Sequence, residues 1–305
     1  MKKKTKGLWI AWLLVLPVVI VRAFTTLYPI IMTFINSTYD MSLLKGNNFQ
    51  FIGLENYLRI FEDQKLLSSI GFTVKFTVVS MFFHLVLGVI LALMLNMKIK
   101  GKKFLRTIVL IPWAMPMVVA GLAARWAFND QYGLINDLIR RFVPNFHYDW
   151  LVHANSAQGA VIAVDLWKDL PFFAILVLAA LQFLSADIYE AAKIDGATKW
   201  QTLTRVTIPN IMPSITICLF LTITNGFKLF DQNLALTNGQ PFEQLKDGSV
   251  IKTTEMLALN IYNTFYGQSL TGKGVAQAKA VIFFILVAGI SIIQLKATRS
   301  KEVQQ

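Results

Sequence analysis

Long apolar stretches separated by short polar segments are the main pattern of this sequence. A helix needs about 20 apolar residues to cross the hydrocarbon core of a bilayer, and six stretches reach that length. They lie at about 8–35, 70–96, 104–128, 157–184, 210–231 and 274–295. The pattern predicts an all-α membrane protein with six transmembrane helices, built as a single transmembrane domain over residues 1–305.

The first stretch follows MKKKTKG, a positive beginning that is also typical of a secretory signal peptide. Its apolar residues continue past Arg22 to Ile35, which is longer than the apolar part of a signal peptide. No cleavage site of small residues stands out. We therefore predict a retained membrane helix.

Composition agrees with the membrane interpretation. Hydrophobic residues make up 55% of the chain and charged residues only 15%, against about 25% charged residues in soluble domains. The net charge of +12 could indicate nucleic-acid binding, but Lys and Arg occur in short clusters between the apolar stretches. Such clusters orient helices in a bilayer, so we expect no nucleic-acid partner. The single cysteine, Cys218, excludes internal disulfides, and the three histidines lack metal-ligand spacing.

The distribution of Lys and Arg predicts the orientation of the chain. If the N-terminus is cytoplasmic, the cytoplasmic pieces carry about twice as many Lys and Arg residues as the outer loops. This bias predicts that both termini are cytoplasmic. It also places the polar segment 185–209, between the fourth and fifth stretches, in the cytoplasm.

Residues 190–209 of that segment read EAAKIDGATKWQTLTRVTIP. Ser185 and Asp187 suit the start of a helix, because polar and acidic residues are favourable at a helix N-terminus. Gly196 permits a sharp turn. The helical spacing of Trp200 and Leu203 then predicts a second short amphipathic helix that ends where Pro209 marks re-entry into the membrane.

Two such short helices cannot form a hydrophobic core of their own. We expect them to expose Glu190, Ala191, Ala192 and Trp200, with nothing in the chain to cover these residues. The spacing alone leaves two interpretations open. The segment is either a solvated loop on the lipid headgroups or a docking surface for a partner protein.

The order Glu190-Ala191-Ala192, Asp195-Gly196-Ala197 and Ile208-Pro209 resembles the EAA loop of ABC importer permeases. The stretches FIGLENY (51–57), IPWAMPMVVAGLAARWAFNDQYGLIN (111–136) and LALTNGQP (234–241) extend the resemblance along the chain. The chain is similar to the maltose-type carbohydrate-uptake permeases, and in particular to the first of their two permease subunits. The maltose protein has additional N-terminal helices and a large periplasmic insertion, so the chain resembles the shorter six-helix members.

This resemblance implies a type I ABC importer permease fold in a bacterial plasma membrane. Its partners would be a second homologous permease, two ATPase subunits and an extracellular sugar-binding protein. A carbohydrate, most simply an oligosaccharide, would pass by alternating access. The implied ATPase-coupling residues are Glu190, Ala191, Ala192, Asp195, Gly196, Ala197 and Trp200.

The resemblance also implies that the chain is not an enzyme and holds no cofactor. ATP and Mg²⁺ would be bound by the partner ATPase. In agreement, the sequence has no phosphate-binding G-x-x-x-x-G-K-[ST] loop, and its nearest string, TGKG at 271–274, lacks that spacing.

Two charged residues, Lys168 and Asp169, lie in the fourth stretch just before Pro171. Ionisable residues inside a membrane helix usually indicate function. If the helix is straight, Asp169 lies roughly 30 Å above Glu190, in the outer half of the bilayer. Alternatively, the helix begins near residue 170 and both charges lie at the water interface. The sequence leaves both interpretations open.

Thr222, Asn225, Gly226 and Leu229 share one face of the fifth stretch. The amide of Asn225 needs a hydrogen-bonding partner in the membrane, either a sugar hydroxyl or the sister subunit, with Gly226 allowing close packing. The residues that match pocket positions of the maltose-type permeases are Lys168, Asp169, Phe172, Thr222, Asn225, Gly226 and Leu229. The residue types differ from those of the maltose-type permeases at most of these positions. The resemblance therefore supports the location of the substrate pocket more strongly than its chemistry.

Other functions make different demands on the sequence. An ion-gradient-driven secondary transporter, the main alternative, often shows an inverted repeat, and we see no repeat here. A polytopic membrane enzyme needs a nucleophile–base pair or a metal motif such as HExxH, and the sequence contains neither pattern.

Overall fold

The structure of the chain is a computed structural model that describes residues 2–41, 49–97, 100–267 and 272–302. Nearly all elements are helices, with two short antiparallel hairpins. The chain divides into two compact units. Unit 1 comprises Met1–Asp63 and Ile261–Ile285, and unit 2 comprises Gln64–Asn260 and Leu286–Gln305.

Unit 1 begins with one long helical run. It consists of α1 (Lys2–Arg22), a π-helical turn (Ala23–Leu27) and α2 (Tyr28–Asn36). The strands β1 (Tyr39–Asp40) and β2 (Gln50–Phe51) and the helix α3 (Glu55–Phe61) follow. The unit ends in parts of α15 (Leu257–Tyr266) and α16 (Gly272–Glu302), which continue into unit 2.

Buried polar contacts hold unit 1 together. Asn56, from the FIGLENY stretch, is buried, and its amide donates to the carbonyl oxygens of Ser37 (2.8 Å) and Tyr39 (2.9 Å). The buried ammonium group of Lys279 pairs with Asp63 at 2.6 Å. Because a buried charge is costly without a partner, these contacts fix the ends of the unit.

Unit 2 contains the other four spans and the segments between them. The second span is α4 (Gln64–Phe83), a π-helical turn (His84–Gly88) and α5 (Val89–Asn96). The third region is α6 (Lys102–Val109), α7 (Ile111–Ala114) and α8 (Met117–Ala127). Then come α9 (Leu134–Arg140), α10 (Ala154–Gln182), α11 (Ala186–Ile194), α12 (Lys199–Gln201), a π-helical turn (Thr202–Thr207), α13 (Ile208–Lys228), α14 (Asp231–Leu236), β3 (Phe242–Gln244) and β4 (Val250–Lys252).

By length and composition, four helices of the described chain can each cross a membrane. They are Trp12–Asn36, Gln64–Asn96, Lys199–Lys228 and Gly272–Lys296. Two bent helix pairs bring the number to six if each pair counts as one span. Each of the six predicted stretches therefore corresponds to a helix or a bent pair.

The third stretch differs from the straight helix that its hydropathy predicts. Lys102–Ala114 and Met117–Ala127 meet at 89°. The break falls at Met115 and Pro116, whose ψ angles of 138° and 139° are extended. Proline disfavours the helical conformation in the residue before it, so the local sequence explains the break.

The centre of unit 2 is α10, which packs against α5 and α13. Their contact forms a hydrophobic cluster that includes Ala92, Phe173, Val177, Ile211 and Ile215. A second cluster, around Phe76, Val161 and Met256, lies nearer the start of α10. Both clusters fix the position of the polar residues between them.

At Gly88 the backbone of the second span comes very close to the ring of Phe173 on α10. A Cβ atom placed on Gly88 would lie 2.4 Å from the ring of Phe173. We expect Gly88→Ala to destabilise the folded protein by about 1–3 kcal/mol through overpacking. Gly71→Ala, in the same helical run, meets no atom within 4 Å and serves as the control. Thermal unfolding in detergent, followed by size-exclusion chromatography, measures the difference. Equal stability of the two variants would contradict the prediction.

Candidate functional site

The polar segment after α10 begins as the sequence predicts. Ser185 stands before α11 in an extended conformation, and Asp187 lies in the first turn. Gly196 has φ +73°, a left-handed conformation that glycine adopts without strain and that forms the turn. The axes of α10 and α11 differ by 71°. The segment therefore leaves the direction of the span sharply.

The predicted second short helix does not exist as a separate element. Lys199–Lys228 is one continuous helical run of 30 residues. It starts with a capping box, in which Thr198 Oγ1 accepts from the backbone of Gln201 and the Gln201 side chain accepts from the backbone of Thr198. Pro209 lies in the first turn of α13, directly after the π-helical turn, so it does not end the run.

Five of the seven predicted coupling residues are exposed. Glu190, Ala191, Asp195, Gly196 and Trp200 are exposed and Ala197 is half-buried. Ala192 is buried, contrary to our expectation, because it follows Glu190 by two residues and so lies on the opposite face of α11 from Glu190.

Two residues that the sequence analysis did not single out extend this surface. Phe183, directly after α10, is 90% exposed, and Ile194, at the end of α11, is 86% exposed. Together with Trp200 they are the large apolar side chains that are exposed along residues 183–200. We call the exposed residues Phe183, Glu190, Ala191, Ile194, Asp195, Gly196 and Trp200 the coupling surface, after the role that the resemblance implies for this segment.

A cavity of about 410 Å³ lies between α4, α7, α8, α10 and α13. This volume falls in the range of about 300–1,000 Å³ that is usual for small-molecule sites. Six of the seven predicted substrate residues line it: Lys168, Asp169, Phe172, Thr222, Asn225 and Gly226. We call it the central cavity.

The structure decides between the two interpretations of Lys168 and Asp169. The helix α10 begins at Ala154, so the alternative in which it begins near residue 170 is wrong. Asp169 lies about half-way along the 29 residues of α10, roughly 20 Å from its end at Gln182. The straight 30 Å path to Glu190 is also wrong, because the chain bends after Gln182.

Lys168 is almost completely buried and is held by two acceptors. Its ammonium group lies 3.1 Å from Asp169 Oδ1 and 3.4 Å from the backbone carbonyl oxygen of Trp113. The second contact ties α10 to α7. Pro171 lies within α10 without breaking it, although it removes one backbone donor from the helix.

Leu229 does not line the central cavity. The helix α13 ends at Lys228 and Leu229 is extended, with ψ 119°, so the helical spacing from Thr222 stops before it. Its side chain is buried in the hydrophobic cluster around Phe76. Gly226 packs within this chain, because a Cβ there would lie 2.8 Å from Thr77 Oγ1. The side chain of Asn225 is exposed at the cavity.

The cavity contains an aromatic pair that the sequence analysis missed. The rings of Trp113 and Phe172 stack at 4.6 Å with planes 6° apart. Trp113 belongs to the short helix α7, which contacts α10 and ends just before the break at Pro116. The aromatic residue between the two prolines of IPWAMP was the available signal, but it does not indicate which helix the ring meets.

Three buried polar residues of the wall were also missed. Asp165 lies one turn before Asp169 and faces Ser80 of α4. His84 accepts or donates through Nδ1 at 2.8 Å from the carbonyl oxygen of Ser80, and its ring packs edge-on against Phe173. His84 begins a π-helical turn, a feature that often occurs at functional sites. The i, i+4 spacing of Asp165 and Asp169 could have revealed the pair.

Comparison with known proteins identifies the chain. The family model described as "Binding-protein-dependent transport system inner membrane component" matches residues 84–297, which include the coupling surface and most of the cavity wall. The chain belongs to this family. It is therefore the membrane-embedded permease of an importer and not an enzyme, as the resemblance implies.

Two relatives match this permease over nearly its whole length. The probable starch degradation products transport system permease protein AmyD of Thermoanaerobacterium thermosulfurigenes is 34% identical, with 100% of each chain covered. The trehalose/maltose transport system permease protein MalF of Thermococcus litoralis is 33% identical, covering 98% of this chain and 96% of that protein. These lengths agree with the short form of the family.

A solved structure confirms the fold of the permease. A chain of the bacterial alginate ABC transporter, crystallised with its alginate pentasaccharide-bound periplasmic protein, superimposes with a TM-score of 0.81 at 22% identity. The match covers 98% of this chain and 97% of that chain. The predicted type I ABC importer permease fold is therefore confirmed.

Proposed function

We propose that this permease carries an oligosaccharide through the central cavity in an ATP-driven, binding-protein-dependent importer. The observation that supports this most directly is the combination of stacked aromatic rings and hydrogen-bonding groups in one cavity. A sugar has apolar C–H faces and a polar rim of hydroxyl groups. Trp113 and Phe172 offer the apolar surface, while Asp169, Thr222 and Asn225 offer donors and acceptors.

The names of both relatives indicate oligosaccharides or disaccharides, and the alginate transporter also carries a saccharide. A translocation path must be enclosed on all sides, and this chain supplies one wall of it through the residues that line the cavity. We infer that a second homologous permease supplies the other wall. Alternating access would then expose the cavity first to the outside and later to the cytoplasm.

Energy would enter through the coupling surface. We propose that it docks on one of two cytoplasmic ATPase subunits, which bind ATP and Mg²⁺. Residues 185–209 carry three acidic and three basic side chains, so the segment lacks the basic excess that anionic lipids attract. Its large exposed apolar side chains therefore favour a protein partner over the headgroup interpretation. An extracellular sugar-binding protein would deliver the substrate to the outer face of the bilayer-embedded pair.

Uptake by the reconstituted complex tests the function. The permease is purified with its partner subunits, placed in proteoliposomes with its binding protein, and supplied with radiolabelled maltotriose or trehalose. We expect uptake that requires ATP on the ATPase side and is insensitive to protonophores. Uptake that instead follows a proton or sodium gradient without ATP would identify a secondary transporter and refute the proposal.

The aromatic pair makes a specific contribution to sugar binding. We expect Trp113→Ala to raise the sugar concentration for half-maximal uptake by about 10- to 100-fold, since loss of a stacked ring costs on the order of 1–3 kcal/mol. Trp126→Ala is the control, because Trp126 is similarly exposed on α8 but does not line the cavity. Concentration dependence of uptake measures both. Equal effects of the two variants would contradict a role of the aromatic pair.

A further inference from the structure

The charges in the central cavity are unevenly balanced. Three ionisable side chains line it, namely Asp165, Lys168 and Asp169. Asp169 already neutralises Lys168 at 3.1 Å, and the lysine is 3% exposed. Asp165 remains as a second carboxyl group in the same wall, on the same helix face as Asp169.

An acidic saccharide needs a cation that is free to pair with it. Arg and Lys are the residues that bind carboxylates and phosphates. Among the residues that the structure describes in this wall, Lys168 is the only cation, and its ammonium group is occupied by Asp169 and the backbone of Trp113. An anion that reaches this wall of the cavity would therefore meet two carboxyl groups and no available cation.

Burial strengthens this effect. Asp165 is 7% exposed, at the depth of the hydrophobic clusters on either side of it. Water screens charges poorly at such a position, so Asp165 in its ionised form acts on an incoming charge over several ångströms. Ser80 and His84, from the helical run Gln64–Asn96, line the same cavity as Asp165, and neither of them carries a fixed positive charge.

We propose that this permease selects an uncharged saccharide and that Asp165 is the residue that excludes acidic ones. The inference rests on the proposed function, because it names the charge class of the carried sugar. Asp165 needs no contact with the substrate in this role. It sets the electrostatic potential of the wall that the substrate passes.

The chain contains its own reporter for this potential. Cys218, the single cysteine, lines the same cavity. Methanethiosulfonate reagents of similar size but opposite charge react with such a thiol at rates that depend on the local potential. The Cys218 peptide, analysed by mass spectrometry after timed labelling of the purified complex, gives the rate for this chain alone. Thr222→Cys in a Cys218→Ser background provides a second reporter, less buried and one turn further along α13.

We expect the cationic reagent to react faster than the anionic reagent, and Asp165→Asn to reduce this ratio by about tenfold or more, as removal of one poorly screened charge implies. The control is Asp187→Asn, an exposed carboxyl outside the cavity that should leave the ratio unchanged. A preference for the anionic reagent at both reporters, or a ratio unaffected by Asp165→Asn at both, would overturn the proposal.

Competition in the uptake assay completes the test. A neutral trisaccharide, maltotriose, is compared with an acidic one, trigalacturonate, on the wild type and on Asp165→Asn. We expect the acidic sugar to be at least about tenfold weaker on the wild type, with the difference reduced in the variant. ATP-dependent uptake of the acidic sugar in preference to neutral ones would refute the charge selection while leaving the importer function intact. Absence of any ATP-dependent saccharide uptake would refute the proposed function, while the thiol ratios would still report on the cavity.

Discussion

Glu190→Lys should abolish ATP-dependent uptake, lowering its rate by at least about 100-fold, while the chain remains folded in the membrane. Glu190 is exposed on α11 and makes no ion pair within the part of the chain that the structure describes. The substitution therefore removes no ion pair from the folded permease, and we expect its stability to stay unchanged. A reversed charge on a docking surface costs about 2–5 kcal/mol of binding when the partner residue becomes buried against it.

The readouts separate docking from folding. Membrane content and thermal stability of the permease should match the wild type, whereas copurification of the ATPase subunits should fall together with uptake. Glu62→Lys is the control, an exposed charge reversal in the other compact unit. If Glu190→Lys retains both ATPase binding and full uptake, α11 is not the coupling element. The alternative, that the segment is a solvated loop on the lipid headgroups, is then favoured.

Lys168→Leu should have the second large effect, on folding as well as on transport. It removes the only cation that faces Asp165 and Asp169 in the described cavity wall. Breaking a buried ion pair by deleting one partner costs about 3–5 kcal/mol. We expect a much lower yield of folded permease and a marked fall in its unfolding temperature.

A second variant shows that the unpaired charge is the cause. Lys168→Leu combined with Asp169→Leu removes both members of the pair, and we expect it to recover much of the lost stability, because an apolar pair of similar volume often replaces a buried ion pair without cost. Lys228→Leu, at the exposed end of α13, is the control. A double variant as unstable as Lys168→Leu alone would mean that Lys168 acts through packing and its contact with Trp113.

The coupling segment illustrates how far local chemistry reaches. The start of α11 at Ser185 and Asp187 and the turn at Gly196 depend on residues within a few positions of each other, and both were predictable. The continuity of the helix through Pro209 was not, because it depends on the π-helical turn before the proline. The burial of Ala192 required the position of neighbouring elements as well.

The central cavity shows the opposite balance. Position matching with the maltose-type permeases placed six lining residues on two helices, but it also included Leu229, which the end of α13 at Lys228 removes from that face. It missed Trp113, whose ring stacks on Phe172 from α7, next to the point where the third span breaks by 89°. A bend of that size separates the directions of the two helices that it joins, and hydropathy does not record those directions.

The sequence by itself determined the six membrane-crossing regions, the polar segment at 185–209 and the family resemblance, because apolar length, turn chemistry and motif order are local properties of the chain. Only the tertiary structure decided that Asp165, Lys168 and Asp169 line one wall of the cavity and that Lys168 forms an ion pair with Asp169. It also decided that an aromatic pair from α7 and α10 lines the same cavity. These contacts depend on helix breaks and close approaches such as Gly88 against Phe173, which join residues far apart in sequence.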